Sequence, residues 1–506
     1  MITLVDSLIN RITLYRLVLY YLIFLLGAAL VLSLGGALPY DPFALLFSIG
    51  FLVGVCGITN TIFARAFGVP ANRESVYISA LILALIITPI GSYHDLWFLG
   101  WSGVWAMASK YMLAIKRKHL FNPATFAVAL TALTIDQTAS WWVGTTLMLP
   151  FVLVGGLLIA RKIRRFDLIA SFFLAVLATV VLASLLSQES IVTGLRNTLL
   201  YSPLLFFAFT ILTEPLTAPP TRGRQIVYGA LVGLLFTPQF HIGKLYISPE
   251  IAILIGNVFA YLVSPKARLV LQLREKLRIA PDIYDFIFVP QRKLAFAPGQ
   301  YMEWTLGHEE PDSRGNRRYF TLASSPTENH LRLGVKFYDE SSSFKQALLA
   351  MDQNTEIVAG QLAGDFVLPR DPRRKCVFIA GGIGITPFRS MIKYLLDTRQ
   401  SRPIVLFYAG KTASEFVYRD IFEQAQRELG IKTIYSVTDP RGLPPSWKGS
   451  IGRITPQLIR SEVPDYLDCA YYISGPQTMV DSSRRALSEM GIAPSQIKTD
   501  LFAGLA

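Results

Sequence analysis

Cysteine and histidine are scarce in this chain. The three cysteines, Cys56, Cys376 and Cys469, are scattered over 506 residues with no C-x-x-C pair. That is too few for a self-contained four-cysteine iron–sulfur cluster, and it argues against a disulfide framework. Of the five histidines, His308 and His330 fall in the more polar half; His94 and His241 lie between apolar stretches, and His119 stands alone at the start of one. A heme carried inside a helical bundle needs paired histidines on facing helices, and the apolar stretches do not hold them. Neither heme, iron–sulfur cluster nor other metal is expected. Acidic residues are also short, 35 against 48 basic ones, for a net charge of +13. Such an excess suggests nucleic acid, but its distribution points elsewhere.

What is abundant is apolar sequence, 52% of the chain, concentrated before residue 265. About ten stretches there approach membrane-spanning length: 14–34, 43–63, 75–91, 97–114, 122–136, 141–159, 167–186, 198–213, 225–237 and 249–264. Arg11 and Arg16 precede the first, and Arg65 and Arg73 separate the second and third. Lys116, Arg117 and Lys118 follow the fourth; Arg161, Lys162, Arg164 and Arg165 the sixth; Arg222 and Arg224 the eighth; Lys266 and Arg268 the tenth. The alternate loops hold almost nothing basic beyond Arg196 and Lys244. Positive loops mark the cytoplasmic side. The expectation is a multi-pass protein of the cell's inner (cytoplasmic) membrane with both termini cytoplasmic, and a charge explained without nucleic acid. The first stretch is long enough to span and reads as a retained helix, not a cleaved signal.

Past residue 265 the pattern changes. Residues 268–370 are rich in strand-like alternation, and from 376 strands at 376–380, 403–408, 431–437 and 470–474 interleave with helical segments. That order predicts a parallel sheet, with ligands at the carboxyl ends of its strands. In Arg318-Tyr319-Phe320-Thr321-Leu322-Ala323-Ser324-Ser325, alternation along a strand puts Arg318 and Phe320 on one face. A forked cation and an aromatic ring suit a ligand with a pyrophosphate and a flat ring, and Thr321 offers its hydroxyl to a ring-edge nitrogen. Further on, the apolar run from Cys376 breaks into Gly381-Gly382-Ile383-Gly384-Ile385-Thr386-Pro387 before a helical stretch. Glycines allow close approach to a phosphate, a helix start supplies unpaired N–H groups, and proline suits the first turn.

On these motifs residues 267–506 resemble the ferredoxin-NADP⁺ reductase family. Arg318-x-Phe320-Thr321 is similar to its Arg-x-Tyr-Ser/Thr, with Ser324 just beyond. Ser341-Ser342-Ser343 after the Val335-Lys336 strand is similar to its second FAD-phosphate loop. Gly360-Gln-Leu-Ala-Gly364-Asp-Phe366 is similar to its Gly-Pro-x-Gly-x-Phe turn, and Ser474-Gly475-Pro476 to its Cys-Gly-Pro beside the nicotinamide. The acidic-x-Phe ending is matched by Asp500-Leu-Phe502. The resemblance implies an antiparallel FAD-binding β-barrel at 266–370 and an α/β NAD(P)-binding domain at 371–506. It makes Phe320, Thr321 and Ser474 the catalytic candidates. Gly381, Gly382, Gly384, Thr386, Pro387, Gly475 and Pro476 would hold the nicotinamide cofactor, and Phe502 would lie near the flavin. Lys411 and Ser414 fall where the family reads the adenosine ribose; a lysine with a serine suits a 2′-phosphate, so the expectation leans to NADPH.

In the apolar half, polar residues gather at helix ends: Arg73, Asn122 with Thr125, and Glu214, Thr217 and Arg222. A buried carboxylate there is costly without a partner. Lys118-His-Leu-Phe-Asn122-Pro-Ala and Thr213-Glu-Pro-Leu-Thr-Ala-Pro-Pro-Thr-Arg-Gly-Arg resemble motifs of the ten-helix flavoproteins found in the Rnf complex and in the sodium-pumping NADH:quinone reductase. Those flavoproteins carry FMN on the threonine of a Ser-Gly-Ala-Thr sequence, where this chain has Thr193-Gly194-Leu195-Arg196. The resemblance thus implies a second, non-covalent FMN near Asn122 and Thr217. The expectation is a multi-domain membrane protein: an all-α ten-helix transmembrane domain at 1–265, then the FAD and NAD(P) domains. NAD(P)H would reduce FAD, and electrons would pass to a membrane flavin, a quinone or a protein electron acceptor. A redox-driven ion pump and a reductase held by an inert anchor are the alternatives.

Overall fold

The structure, a computed structural model, describes residues 9, 12–67, 73–115, 118–237, 241–242, 245–264, 269–290, 293–309, 311–312, 315–339, 341–353 and 355–500. The side chains of Arg73 and His119, and all of Lys116, Arg117, Lys244, Lys266, Arg268 and Phe502, lie outside the described residues. The chain divides into two compact units between residues 267 and 268.

The first unit is helical. Two of its helices start where the sequence supplies an oxygen acceptor and a proline: Asp41 accepts from the Ala44 N–H at 2.7 Å ahead of helix Pro42–Ala66, and Asn122 accepts from Thr125 at 3.1 Å ahead of helix Pro123–Thr134. Each cap meets one of the N–H groups a helix start leaves over. Gly229 and Gly233 let helix Arg222–Leu235 close on helix Phe166–Ser187. A Cβ on either would sit 2.5 Å from a carbonyl oxygen, of Leu168 or Phe172, so glycine is what permits the approach.

Three described helices are long and apolar enough to cross a membrane: Leu14–Leu34, Pro42–Ala66 and Phe166–Ser187. A fourth arises if Ile191–Leu200 and Leu204–Ile211, bent by 61° to one another, form one span. By this measure the expected ten is not reached. Helices occupy the other stretches, but Glu74–Ile86, Pro123–Thr134 and Pro249–Val263 are shorter. The eighth stretch is interrupted at Pro203, which has no N–H to give a helix. The sixth opens with a 3₁₀ turn at Trp142–Gly144, and its helix begins only at Leu149.

The second unit holds two sheets. β1 (Leu269–Ala280), β2 (Ile283–Pro290), β3 (Tyr301–Thr305), β4 (Arg317–Thr321), β5 (Leu331–Lys336) and β6 (Glu356–Ala363) form an antiparallel sheet in the order β4-β3-β6-β1-β2-β5. No ladder joins its edges among the described residues, so the expected barrel is a curled sheet. The edges meet at one end only, where the Ala323 N–H donates to Arg332 O at 2.9 Å and the Arg332 N–H to Ser324 Oγ at 3.0 Å.

β7 (Cys376–Gly381), β8 (Ile404–Gly410), β9 (Lys432–Val437), β10 (Ser450–Ile451), β11 (Ala470–Ser474) and β12 (Ile497–Asp500) form a parallel sheet in the order β10-β9-β8-β7-β11-β12. Every residue of β7 is buried, as a central parallel strand covered on both faces requires. The predicted strands fall on β7, β8, β9 and β11. Two edge strands, β10 and β12, were not read from the sequence because they are short and polar.

Candidate active site

β4 carries the arginine–phenylalanine pair as its alternation requires. The Arg318 guanidinium lies 5.3 Å from the centroid of the Phe344 ring, and the Phe320 ring is 6.0 Å from the same ring. Tyr319 points the other way and donates to Glu303 at 3.0 Å. Arg318 is buried; its Nη1 donates to Gly315 O at 3.1 Å and Arg317 O at 2.7 Å, and its Nη2 stands 3.7 Å from Asp312 Oδ1. Ser342 caps helix Ser343–Ala350 by accepting from the Lys345 N–H, and the Ser343 N–H donates to Asp312 Oδ2 at 3.1 Å. A carboxylate thus already occupies a helix start beside an arginine, a combination that favours anions.

Thr321, at the end of β4, does not leave its hydroxyl free for a ring nitrogen. It donates to Asp500 Oδ2 at 3.0 Å. Asp500 ends β12, directly across the ladder from Ser474 at the end of β11, close enough for the Ser474 hydroxyl to favour its ionised carboxylate. Burial pushes the Asp500 carboxyl up to about 7, against the opposing hydrogen bonds from Thr321 and Ser474. A buried group tuned near neutrality beside the ends of parallel strands is suited to holding and releasing a proton.

The glycine loop closes this corner. Gly382–Ile385 is a single 3₁₀ turn between β7 and helix Thr386–Asp397. A Cβ on Gly384 would sit 2.5 Å from Ser474 O and 2.6 Å from the Gly475 Cα, so the loop lies flat on the Ser474-Gly475-Pro476 turn. Gly382 has φ +52°. Thr386 is buried and donates to Ile383 O at 3.2 Å, and Pro387 occupies the first helical turn. Gly381, Gly382, Gly384, Thr386, Pro387, Ser474, Gly475 and Pro476 therefore come together with Thr321.

Other candidates do not join them. Ser324 is fully buried with its oxygen taken by the Arg332 N–H, and Val335 packs in the core of the antiparallel sheet. Lys336 Nζ is 3.0 Å from Glu415 Oε1, whose other oxygen accepts from the Lys411 N–H at 3.2 Å. Ser414 shares a 3.0 Å hydrogen bond with Thr412. An acidic residue, Glu415, thus sits against the Lys411 backbone at the place expected to take a 2′-phosphate.

In the helical unit Asn122, Thr125, Glu214 and Thr217 are brought together. Glu214 Oε2 accepts from Asn122 Nδ2 at 2.8 Å and from Thr217 at 3.0 Å; the Asn122 N–H donates to Asn257 at 2.9 Å. Thr125 spends its hydroxyl on the Asn122 cap. Of these, Asn122 and Glu214 border a cleft of about 710 Å³, counted out to its mouth, which Lys110 also lines; Thr125 and Thr217 do not. Buried Lys110 donates to Ser75 O at 2.8 Å. It was missed in sequence, although a lone charge in an otherwise apolar run carries that signal. Arg222 lies apart, in an exposed 2.7 Å pair with Asp167.

The glycine loop at the carboxyl end of a parallel strand, joined through Ser474 and Asp500 to the end of the strand that bears Arg318, is the arrangement of a nicotinamide-linked oxidoreductase domain. Residues 378–485 match the family described as the oxidoreductase NAD-binding domain, and residues 105–268 match the NQR2, RnfD, RnfE family. The second match associates the helical unit with a membrane. The chain is 28% identical over 236 residues to a flavohemoprotein of Bacillus subtilis (strain 168), covering 45% of this chain and 57% of that one. It is 29% identical over 227 residues to the stachydrine N-demethylase reductase subunit of Rhizobium meliloti (strain 1021), covering 44% and 63%. A third relative, NADH-cytochrome b5 reductase 1 of Ajellomyces capsulatus, is 25% identical over 242 residues, covering 46% and 76%. The chain thus spans less than two thirds of the first two.

Proposed function

We propose that this chain is a membrane-bound NAD(P)H oxidoreductase, passing electrons from the cofactor through FAD to an acceptor in its helical half. In this reading residues 1–265 form a ten-helix transmembrane domain of the inner membrane with both termini cytoplasmic, 266–370 hold FAD, and 371–506 hold the nicotinamide cofactor. The observation that carries it is the Thr321–Asp500–Ser474 contact, which joins the strand bearing Arg318 and Phe320 to the turn under the glycine loop.

The residues present fit FAD. The helix start at Ser343, with Arg318 beside it, already accepts an anion in the form of the Asp312 carboxylate. Arg318 and the Ser342–Ser343 turn would hold the pyrophosphate, and Phe320 would lie against the ring. FAD supplies the means of taking a hydride and releasing electrons singly. Asp500 holds a proton at the site, Thr321 and Ser474 fix its carboxylate, and Gly384 brings the nicotinamide loop down onto Gly475. The lean to NADPH rests on Lys411 and Ser414, and the Glu415 carboxylate beside them opposes it. The cleft bordered by Lys110, Asn122 and Glu214 mixes apolar side chains with a few polar ones, as small-molecule sites do, and we assign the non-covalent FMN there. The next acceptor is that flavin or a quinone.

Flavin extraction from the purified chain tests the reading: FAD together with FMN is expected. FAD alone removes the second flavin, and a colourless protein overturns the whole.

A further inference from the structure

Helix Thr386–Asp397 starts directly on the nicotinamide loop, and its side chains are tied to the segment that follows β4. Arg389, 3% exposed, donates through Nη1 to Ala323 O at 2.6 Å and to Glu328 Oε2 at 2.9 Å, and through Nη2 to Glu328 Oε1 at 3.1 Å. Glu328 also accepts from the Ser325 N–H at 2.6 Å. The next residue of the helix, Ser390, donates to Ser324 O at 2.6 Å and has no exposure at all. Ala323, Ser324 and Ser325 are therefore each bound, directly or through Glu328, to one turn of that helix. These residues begin two positions beyond Thr321, and Arg389 lies three beyond Thr386.

A second tie runs beside the first. The Arg389 guanidinium lies 5.2 Å from the centroid of the Tyr418 ring. The Tyr418 hydroxyl donates to Asp285 of β2, which also pairs with Arg332 of β5. Gly334 of β5 makes room, since a Cβ there would sit 2.6 Å from that hydroxyl. An apolar contact of similar volume is commonly as stable as a buried ion pair. What a forked, doubly bonded pair adds is direction: its two N–H···O bonds fix orientation as well as distance.

We propose that the Glu328–Arg389 pair is a positioning clamp. It sets the separation of the ring seated on β4 from the nicotinamide on the glycine loop, and so sets the rate of hydride transfer between them. The inference rests on the flavin–nicotinamide reading of the site. Neither residue touches the reacting atoms; each acts through the segments it holds. Transfer between rings depends on near-contact geometry, where a displacement of about 1 Å costs on the order of a hundredfold in rate.

The test uses the full chain in detergent or nanodiscs, with anaerobic stopped-flow reduction of the bound flavin by saturating NADPH or NADH. The double variant Glu328→Gln/Arg389→Met removes both charges and strands neither, and Arg389→Lys keeps the charge without the fork. A limiting reduction rate at least about tenfold lower in the double variant is expected, with Arg389→Lys between it and the native chain. Bound FAD and reoxidation by ferricyanide should be unchanged, a split between half-reactions that mere loss of stability does not produce. If the double variant fails to retain FAD, Arg389→Lys decides alone. Reduction within twofold of native with FAD retained overturns the clamp. A native chain that neither nucleotide reduces overturns the underlying reading instead, and the clamp with it.

Discussion

Thr321 and Asp500 lie 179 residues apart in sequence, one on the antiparallel sheet and one on the parallel sheet, and meet at 3.0 Å. Ser474 reaches the same carboxylate from the neighbouring strand. Through one buried acid the strand proposed to seat the flavin is joined to the turn proposed to lie under the nicotinamide.

That acid gives a pH dependence with a definite sign. Asp500 is raised from 3.8 to about 7 by burial. Between those values the folded chain keeps a proton that the unfolded chain releases, so stability falls as pH rises through that window and is level above it. Asp500→Asn should flatten the fall, read as apparent Tm against pH. The same variant should abolish an inflection near pH 7 in NAD(P)H–ferricyanide turnover, since only the ionised carboxylate accepts a proton. An unchanged profile would remove Asp500 from proton handling.

Arg318→Ala should release the FAD. It deletes the buried fork beside the Ser343 helix start, and charge-assisted hydrogen bonds of this kind contribute about 1.5–3 kcal/mol each. Equilibrium dialysis should show FAD affinity down by ten- to a hundredfold, with Arg318→Lys intermediate because a point charge replaces a fork.

Gly384→Ala places a methyl group where Ser474 O and the Gly475 backbone already stand. Overpacking against backbone costs about 1–3 kcal/mol. The expected result is a raised KM for the nicotinamide cofactor with FAD content retained, measured with ferricyanide as acceptor.

Asn122→Leu removes both a helix cap and a partner of Glu214. The cap alone is worth about 1 kcal/mol. If the cleft holds FMN, extraction should find FMN lost, FAD kept and ferricyanide reduction intact. Retained FMN would move the second flavin elsewhere.

Much of the second unit was legible in the sequence. The glycines of the loop and the alternation of β4 are local signals, and Gly381–Pro387 and Arg318–Phe320 lie as their spacing requires. Partners brought together by tertiary folding were not. Nothing near Asp312 in sequence says that it meets Ser343, and nothing near Arg389 announces Glu328, because such pairs form only when distant segments pack. Apolar content marks stretches of spanning length in the helical unit, but not the break at Pro203 or the late start at Leu149, which depend on where the backbone loses a donor. Lys110 was legible and overlooked: one cation inside an apolar run is costly unless it serves something.

The most direct measurement is anaerobic reduction of the purified chain in nanodiscs, with and without a lipophilic quinone in the bilayer. NADPH or NADH should bleach the flavin, and the quinone should restore its colour while Arg318→Ala shows neither change. A flavin that neither nucleotide bleaches would contradict the account, as would a bleached flavin that no acceptor in the bilayer reoxidises.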